Sequence, residues 1–256
     1  MKDAKPILYS NDAVAEAVTT YSEAHSLDLP KWLIDYHADV CRNNTNSNLM
    51  ISTYQARSLV WLARLIDAKR VLEIGVYLGF STMTWSHAVG PSGTVTGLEF
   101  NPEFAQRAEA AFASNSLSNI TLKVGDALAA LPALETPGGE PYDVVFVDAQ
   151  KSGYVAYLQT VLDRSPAGAP AAQRLLRKGG LLIGDNALRR GLVADDSAAN
   201  PHRPTEPGAA EGEEYKGQHD DVGKMREFND AVKANPRLEP FLLPLWDGLV
   251  LARLVD

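Results

Sequence analysis

Short apolar runs and amphipathic segments alternate along the chain from about residue 70. The apolar runs predict strands at 70–74, 94–98, 120–124, 143–147 and 180–183. Between them, apolar residues at helical spacing predict helices near 80–89, 102–114 and 127–134, and another from Tyr154 onward. Strands that alternate with helices pair in parallel through right-handed crossovers. The pattern therefore predicts an open α/β sheet.

The residues before this alternation are predicted to be helical. Residues 11–44 contain two helical segments separated by Leu29-Pro30, and a further helix covers 52–67. A polar stretch separates the first pair from the rest of the chain. We therefore expect residues 1–48 to form an amino-terminal helical extension.

The residues after the fifth predicted strand include a long irregular segment. Residues 195–221 are acidic and rich in proline and glycine, and such long loops are usually functional lids or disordered. We expect a mobile, variable loop at the rim of the site. A helix near 222–234 and a β-hairpin over 241–254 follow, and residues 1–256 are expected to form a single domain.

Composition restricts the possible partners and compartments. The net charge of −8 argues against a nucleic-acid surface, which needs a basic footprint. No apolar run is long enough to span a membrane, and no secretory apolar region is recognisable. The single cysteine, Cys41, excludes an internal disulfide and a thiolate zinc cluster. We expect an intracellular, cytoplasmic protein, with an organelle address in its amino-terminal segment left open.

A glycine turn follows the first strand of the alternation. Glu73 ends that strand, and Gly75 and Gly79 lead into a helix. A dinucleotide site would need a further glycine where Tyr77 stands, and Glu73 is a poor neighbour for phosphates. Neither objection applies to S-adenosylmethionine (SAM), because it has no phosphate and its sulfonium is positive. Its amino group can use a carboxylate, and its carboxylate can use backbone amides at the turn.

Carboxylates also end the next two strands. Glu99 follows the second strand, where it can accept both ribose hydroxyls of SAM. Asp126 follows the third, within Gly125-Asp126-Ala127, where it can meet the adenine amino group. Each acid alone also fits a helix cap, but the ordered set favours SAM.

These residues resemble the class I methyltransferases, and more narrowly the cation-dependent O-methyltransferases of the caffeoyl-CoA and catechol type. The resemblance runs from about Met50 to the end of the chain. Its marks are Leu65-Ile-Asp-Ala-Lys-Arg-Val-Leu-Glu-Ile-Gly-Val-Tyr77, Phe146-Val-Asp-Ala-Gln-Lys151, Lys178-Gly-Gly180, Gly184-Asp-Asn186 and Asp247-Gly-Leu-Val-Leu-Ala-Arg253. It implies a Rossmann-like, mostly parallel seven-stranded sheet with helices on both faces, extra amino-terminal helices, and homodimers.

The resemblance also implies which residues form the site. For SAM these are Ser52, Glu73, Gly75, Val76, Tyr77, Ser81, Glu99, Phe100, Gly125, Asp126, Ala127 and Asp148. For a divalent cation they are Asp148, Asp185 and Asn186; this all-oxygen set suits Mg²⁺, or else Mn²⁺ or Ca²⁺. For a small aromatic substrate they are Met50, Tyr154 and Arg189.

The expected reaction is methyl transfer from SAM to a hydroxyl of a vicinal-dihydroxy aromatic such as a catechol, a flavonoid or a caffeoyl compound. Chelation of both hydroxyls would lower their pKa and align one oxygen with the methyl group. Lys151 matches the family lysine beside that hydroxyl, as a base if neutral or as a stabilising charge if protonated.

Several residues depart from the family pattern. Gln150 stands where the family commonly has a second acid, and Ala56-Arg57 replace a frequent Gly-Gln pair. Two alternatives stay open: a metal-independent SAM-dependent methyltransferase, and a SAM-binding protein without catalysis. A dehydrogenase is the least favoured interpretation.

Overall fold

A seven-stranded sheet forms the centre of the molecule. The structure, a computed structural model, describes residues 11–203 and 213–256. The strands are β1 (Arg70–Ile74), β2 (Thr94–Glu99), β3 (Ile120–Val124), β4 (Tyr142–Val147), β5 (Leu176–Gly184), β6 (Leu238–Leu243) and β7 (Leu249–Leu254). Their spatial order is β3-β2-β1-β4-β5-β7-β6. Strand β7 runs antiparallel to both β5 and β6, and the other pairs are parallel. The predicted α/β class is confirmed, and the hairpin predicted over 241–254 is present with its first strand starting earlier, at Leu238.

Helices cover both faces of this sheet. They are α1 (Asp12–Ala24), α2 (Lys31–Asn43), α3 (Thr53–Leu65), α4 (Phe80–Val89), α5 (Pro102–Ser114), α6 (Ala127–Ala130), α7 (Tyr154–Asp163) and α8 (Glu213–Ala234). One core cluster contains residues of α2 to α5, and the other contains residues of α6, α7 and α8. All six residues of β4 are buried, as a central parallel strand covered on both faces requires.

Local capping fixes where several helices begin. The Ser52 side chain accepts a hydrogen bond from the backbone N–H of Gln55 and starts α3. Asn101 accepts from the N–H groups of Glu103 and Phe104, and Pro102 occupies the first position of α5. The first of these caps places Ser52 and the start of α3 beside the carboxyl edge of the sheet.

The starts of two elements differ most from their predictions. β5 begins at Leu176 rather than at residue 180, because its pairing with β4 shifts register between Tyr142 and Val144 and places Lys178-Gly-Gly180 inside the strand. α8 begins at Glu213 rather than at 222, so the predicted 195–221 loop is helical in its last part. Residues 213–221 hold helix-forming Glu, Lys and Gln, and Gly217 and the acids obscured that tendency.

Parts of two other predictions lie outside the described residues. These are positions 204–212 of the variable loop and positions 1–10 of the amino-terminal extension. Among the helices that the structure does describe, none is both long enough and apolar enough to cross a membrane.

Candidate active site

A cavity of about 1190 Å³ lies at the carboxyl edge of the parallel strands. This is the edge at which open α/β sheets bind ligands. Most of the residues predicted for the site line it, namely Met50, Ser52, Gly75, Tyr77, Glu99, Phe100, Gly125, Asp126, Ala127, Asp148, Lys151, Asp185, Asn186 and Arg189. The cavity is large enough for a nucleoside-sized molecule together with a small aromatic compound.

The glycine turn after β1 brings two strand ends into close contact. Gly75 has a φ of +94°, and a Cβ added there would lie 2.1 Å from the carbonyl oxygen of Asp148. Any side chain at Gly75 would therefore push β1 away from the end of β4. Tyr77, also at positive φ (+51°), turns its side chain into the cavity wall.

Glu99 stabilises this turn from the end of β2. One carboxylate oxygen accepts the N–H groups of Val76 at 3.0 Å and Tyr77 at 2.8 Å. The other oxygen accepts the N–H of Asn101 at 2.8 Å. A carboxylate has about four acceptor positions, so these three bonds leave capacity for a ligand hydroxyl.

The end of the cavity near β3 combines one carboxylate with several aromatic rings. Asp126 accepts a hydrogen bond from the N–H of Leu128 at 2.9 Å. It therefore caps α6, which is the alternative role that the sequence allowed for this acid. Phe100 is 77% exposed although it is a large apolar residue. The rings of Tyr77 and Phe104 meet edge to face, with centroids 4.8 Å apart. This wall suits a flat heteroaromatic base.

The opposite end of the cavity gathers Asp148 from β4 with Asp185 and Asn186 from β5. Asp185 is 3% exposed, and burial together with the charge of Asp148 raises the pKa of its carboxyl group well above the ordinary range. Two carboxylates that repel each other beside an amide oxygen form a hard donor set suited to Mg²⁺ or a similar cation. Among the described residues, no three His, Cys, Asp or Glu side chains form a cluster that could hold a metal ion.

Lys151 lies beside these carboxylates. Its Nζ is 3.2 Å from Asp148 Oδ1 and donates to the Tyr154 hydroxyl at 2.9 Å. Only 8% of Lys151 is exposed, yet it reaches the cavity. The ammonium group is therefore held close to any molecule bound next to Asp148.

Tyr154 is not part of the cavity wall, in contrast to its predicted contact with substrate. It is fully buried, and its hydroxyl lies 3.0 Å from the carbonyl oxygen of Val147 and 3.2 Å from that of Asp185. Burial and the nearby carboxylates raise the pKa of this phenol well above its ordinary value. The first turn of α7 directs the ring inward against Phe228, which explains the difference.

Three residues predicted to contact SAM do not line the cavity. Glu73 faces α4, because its neighbour Ile74 takes the cavity side of the strand. It accepts a hydrogen bond from Thr82, and burial raises the pKa of its carboxyl group to about 8. The side chain of Val76 packs into the core, and Ser81 lies half-buried in the first turn of α4.

The sequence interpretation missed Gln55. This residue is 4% exposed, lines the cavity from α3, and donates from Nε2 to Asp185 Oδ2 at 2.9 Å. One signal was present in the sequence. Gln55 shares the buried helix face with Ala56, Leu59 and Ala63, where an uncharged polar residue needs a specific partner.

The rim of the cavity was only partly predicted. Arg189, at a φ of +45°, forms an ion pair of 2.8 Å with Asp221 of α8. Trp246, at a φ of +58°, meets the ring of Tyr54 edge to face at 5.5 Å. Asp221, His202 and Trp246 all line the cavity, and no local pattern marked them.

Comparisons with known proteins agree with this geometry. The sequence model of a family described as O-methyltransferase matches residues 23–255. The chain is 33% identical to O-methyltransferase ankF of Aspergillus thermomutatus over 95% of both chains. It is 30% identical to a catechol O-methyltransferase of Niastella koreensis, over 86% of this chain and 92% of the relative. The SAH-bound methyltransferase PaMTH1 of Podospora anserina superposes with a TM-score of 0.81 at 26% identity, covering 98% of this chain and 99% of that one.

Proposed function

The chain belongs to the O-methyltransferase family, and on this premise we propose that it transfers a methyl group from SAM to one hydroxyl of a catechol-type aromatic with the help of a divalent cation. One observation carries the proposal. Asp148, Asp185, Asn186 and Lys151 meet at one end of a cavity whose other end suits a nucleoside. The catechol O-methyltransferase of Niastella koreensis supports the acceptor class.

The nucleoside end is proposed to hold SAM. Glu99 would accept one ribose hydroxyl at its remaining acceptor position, and Asp126 and Phe100 would surround the adenine. The N–H groups of Gly75, Val76, Tyr77 and Gly79 are already bonded within the protein, so the first N–H groups of α4 would face the methionine carboxylate. The SAH-bound relative PaMTH1 supports this assignment. Ser52, Tyr77, Gly125, Ala127 and Asp148 complete the proposed wall.

The acidic end is proposed to hold Mg²⁺, or else Mn²⁺ or Ca²⁺, through Asp148, Asp185 and Asn186. When bound there, the cation would supply the positive charge that favours ionisation of a catechol hydroxyl. The negative charges of Asp148 and Asp185 would be balanced. This would relieve the repulsion from Asp148 that, after burial, raises the pKa of Asp185.

Lys151 is proposed as the catalytic residue. Its Nζ contacts Asp148 Oδ1 and the Tyr154 hydroxyl, and both contacts hold it at the acidic end. The proton of the acceptor hydroxyl would pass to solvent water in the cavity. The ammonium group would then stabilise the negative charge left on the acceptor oxygen. Met50 and Arg189 would contact the aromatic acceptor from the rim.

An acceptor comparison tests the proposal. The methyl group of labelled SAM is offered with Mg²⁺ to catechol, to phenol and to resorcinol, whose hydroxyls are not adjacent. We expect transfer to catechol alone, because only adjacent hydroxyls chelate one cation. Equal transfer to phenol would favour a metal-independent methyltransferase. Tight SAM binding without transfer to any acceptor would favour a SAM-binding protein without catalysis.

We also propose that residues 1–256 form one domain that pairs with a second copy of the chain. Leu33 of α2 lies in the same core cluster as β1 and α4, which supports a single domain. Trp61 and Leu65 of α3 are exposed, and Phe241 of edge strand β6 is exposed on the same side of the sheet. Phe241→Asp should shift the mass in light scattering to that of a monomer. Val124→Asp, on the other edge strand, is the control and should not.

A further inference from the structure

Gln55 occupies an unusual position for an uncharged polar side chain. It lies on the buried face of α3 at 4% exposure, among apolar neighbours. Burying an amide without a hydrogen-bond partner costs about 1–3 kcal/mol, so the partner of Gln55 identifies what the residue is for. That partner is Asp185, which lies 130 positions away in the sequence.

The hydrogen bond fixes the orientation of the Asp185 carboxylate. Oδ2 accepts from Gln55 Nε2 at 2.9 Å, and Oδ1 accepts from the backbone N–H of Asn186 at 2.7 Å. With one donor on each oxygen, rotation of the carboxylate about its terminal bond would break at least one hydrogen bond. A single backbone donor would leave that rotation much less restricted.

The main chain of Gln55 is itself held in place. Its N–H donates to the Ser52 hydroxyl at 3.0 Å in the cap of α3, and Ile51 just before the cap is buried. α3 packs along α4, which follows the glycine turn. Gln55 therefore reaches Asp185 from a main chain that is fixed at the start of α3.

We propose that Gln55 is a positioning residue that orients Asp185 for a divalent cation and thereby sets the affinity of the site for it. The inference rests on the proposed function, because it assumes that Asp185 is a cation ligand. Residues that orient metal ligands typically change metal affinity by about 10- to 100-fold when they are removed. A purely structural Gln55 would instead tie α3 to β5 and affect stability alone.

Mn²⁺ affinity of the full chain, measured by electron paramagnetic resonance, separates these two roles. Gln55→Met keeps the length of the side chain and removes the donor. We expect its Mn²⁺ affinity to fall at least about tenfold, with SAM affinity within about twofold of the unaltered chain. Gln159→Ala is the matched control, since Gln159 donates to Asp163 at 2.8 Å on the exposed surface of α7. This control should bind Mn²⁺ normally.

The outcomes distinguish the inference from the proposed function. Normal Mn²⁺ affinity in Gln55→Met overturns the positioning role and leaves the proposed function intact. If the unaltered chain binds no Mn²⁺, both the cation proposal and the inference fail. Should the variant not fold, the side-chain amide signals of Gln55 in the ¹⁵N-labelled unaltered chain decide. They should move on addition of Mg²⁺ while those of Gln159 stay fixed, and unmoved Gln55 signals would overturn the role.

Discussion

Lys151 Nζ and Asp148 Oδ1 lie 3.2 Å apart at the end of β4, at the point where the proposed cofactor and cation sites meet. Asp148 thus lies beside the Lys151 ammonium group, the Asp185 carboxylate and the turn at Gly75. Changes at this junction should therefore separate binding from catalysis.

Removing Asp185 should abolish catalysis and spare SAM. We expect Asp185→Ala to lower kcat at least about a hundredfold, because the cation loses one of its two carboxylates and several kcal/mol of stabilisation. SAM affinity, measured by calorimetry, should change less than about twofold, since Asp185 lies at the other end of the cavity. Turnover close to that of the unaltered chain would contradict the cation assignment.

Lys151→Met should affect the chemical step. The variant keeps a long side chain but loses the charge near the acceptor oxygen, so kcat should fall on the order of a hundredfold. Mn²⁺ and SAM should still bind. Lys178→Met is the control, because Lys178 lies at the opposite edge of the sheet and its loss should leave turnover unchanged. A single-turnover measurement with saturating SAM gives the rate directly, and an unaltered rate in Lys151→Met would exclude its catalytic role.

Gly75→Ala should destabilise the protein at the glycine turn. The added methyl group meets the Asp148 carbonyl oxygen and the residue needs positive φ, so we expect a loss of about 3 kcal/mol or more in the free energy of unfolding. Gly138→Ala is a matched control: its φ is +66°, but nothing lies within 4 Å of the added methyl group. Urea unfolding should show a loss of only about 1–2 kcal/mol there. Equal losses would mean that the clash at Gly75 is relieved at little cost.

Glu73 should make the protein less stable as the pH rises. Its pKa is 4.5 in an ordinary environment and about 8 in the fold, so the folded state retains a proton that the unfolded state releases. Stability from this group is complete below about pH 4.5 and is lost as the pH rises toward 8, by at most about 1.4 kcal/mol per pH unit. In Glu73→Gln this slope should disappear between pH 5 and 8, with Mg²⁺ present throughout so that Asp185 does not contribute. An identical slope in urea unfolding would show that Glu73 is not the source.

The strand ends were predictable because their signals are local. Each apolar run is followed by its own polar residue, so Glu99, Asp126, Asp148 and Asp185 could be assigned to one edge without knowledge of the fold. The direction of Glu73 was harder to predict. Its neighbours Ile74 and Gly75 both line the cavity, and only the path of the turn reveals that Glu73 faces α4.

The remaining site residues depend on contacts between distant parts of the chain. Gln55 meets Asp185, and Asp221 meets Arg189, through the packing of α3 and α8 against the strand ends. Trp246 reaches the cavity from the β6–β7 turn at a positive φ that its residue type does not suggest. Periodicity describes one element at a time, so it predicts none of these pairs.

The dependence of turnover on a divalent cation decides whether the acidic end of the cavity is a metal site. Methyl transfer from labelled SAM to catechol would be followed with Mg²⁺, then with excess EDTA, and then after Mg²⁺ is restored. We predict that transfer collapses in EDTA and returns with the metal. Transfer that continues unchanged in EDTA would contradict it, and Asp148, Asp185 and Asn186 would then have no role as cation ligands.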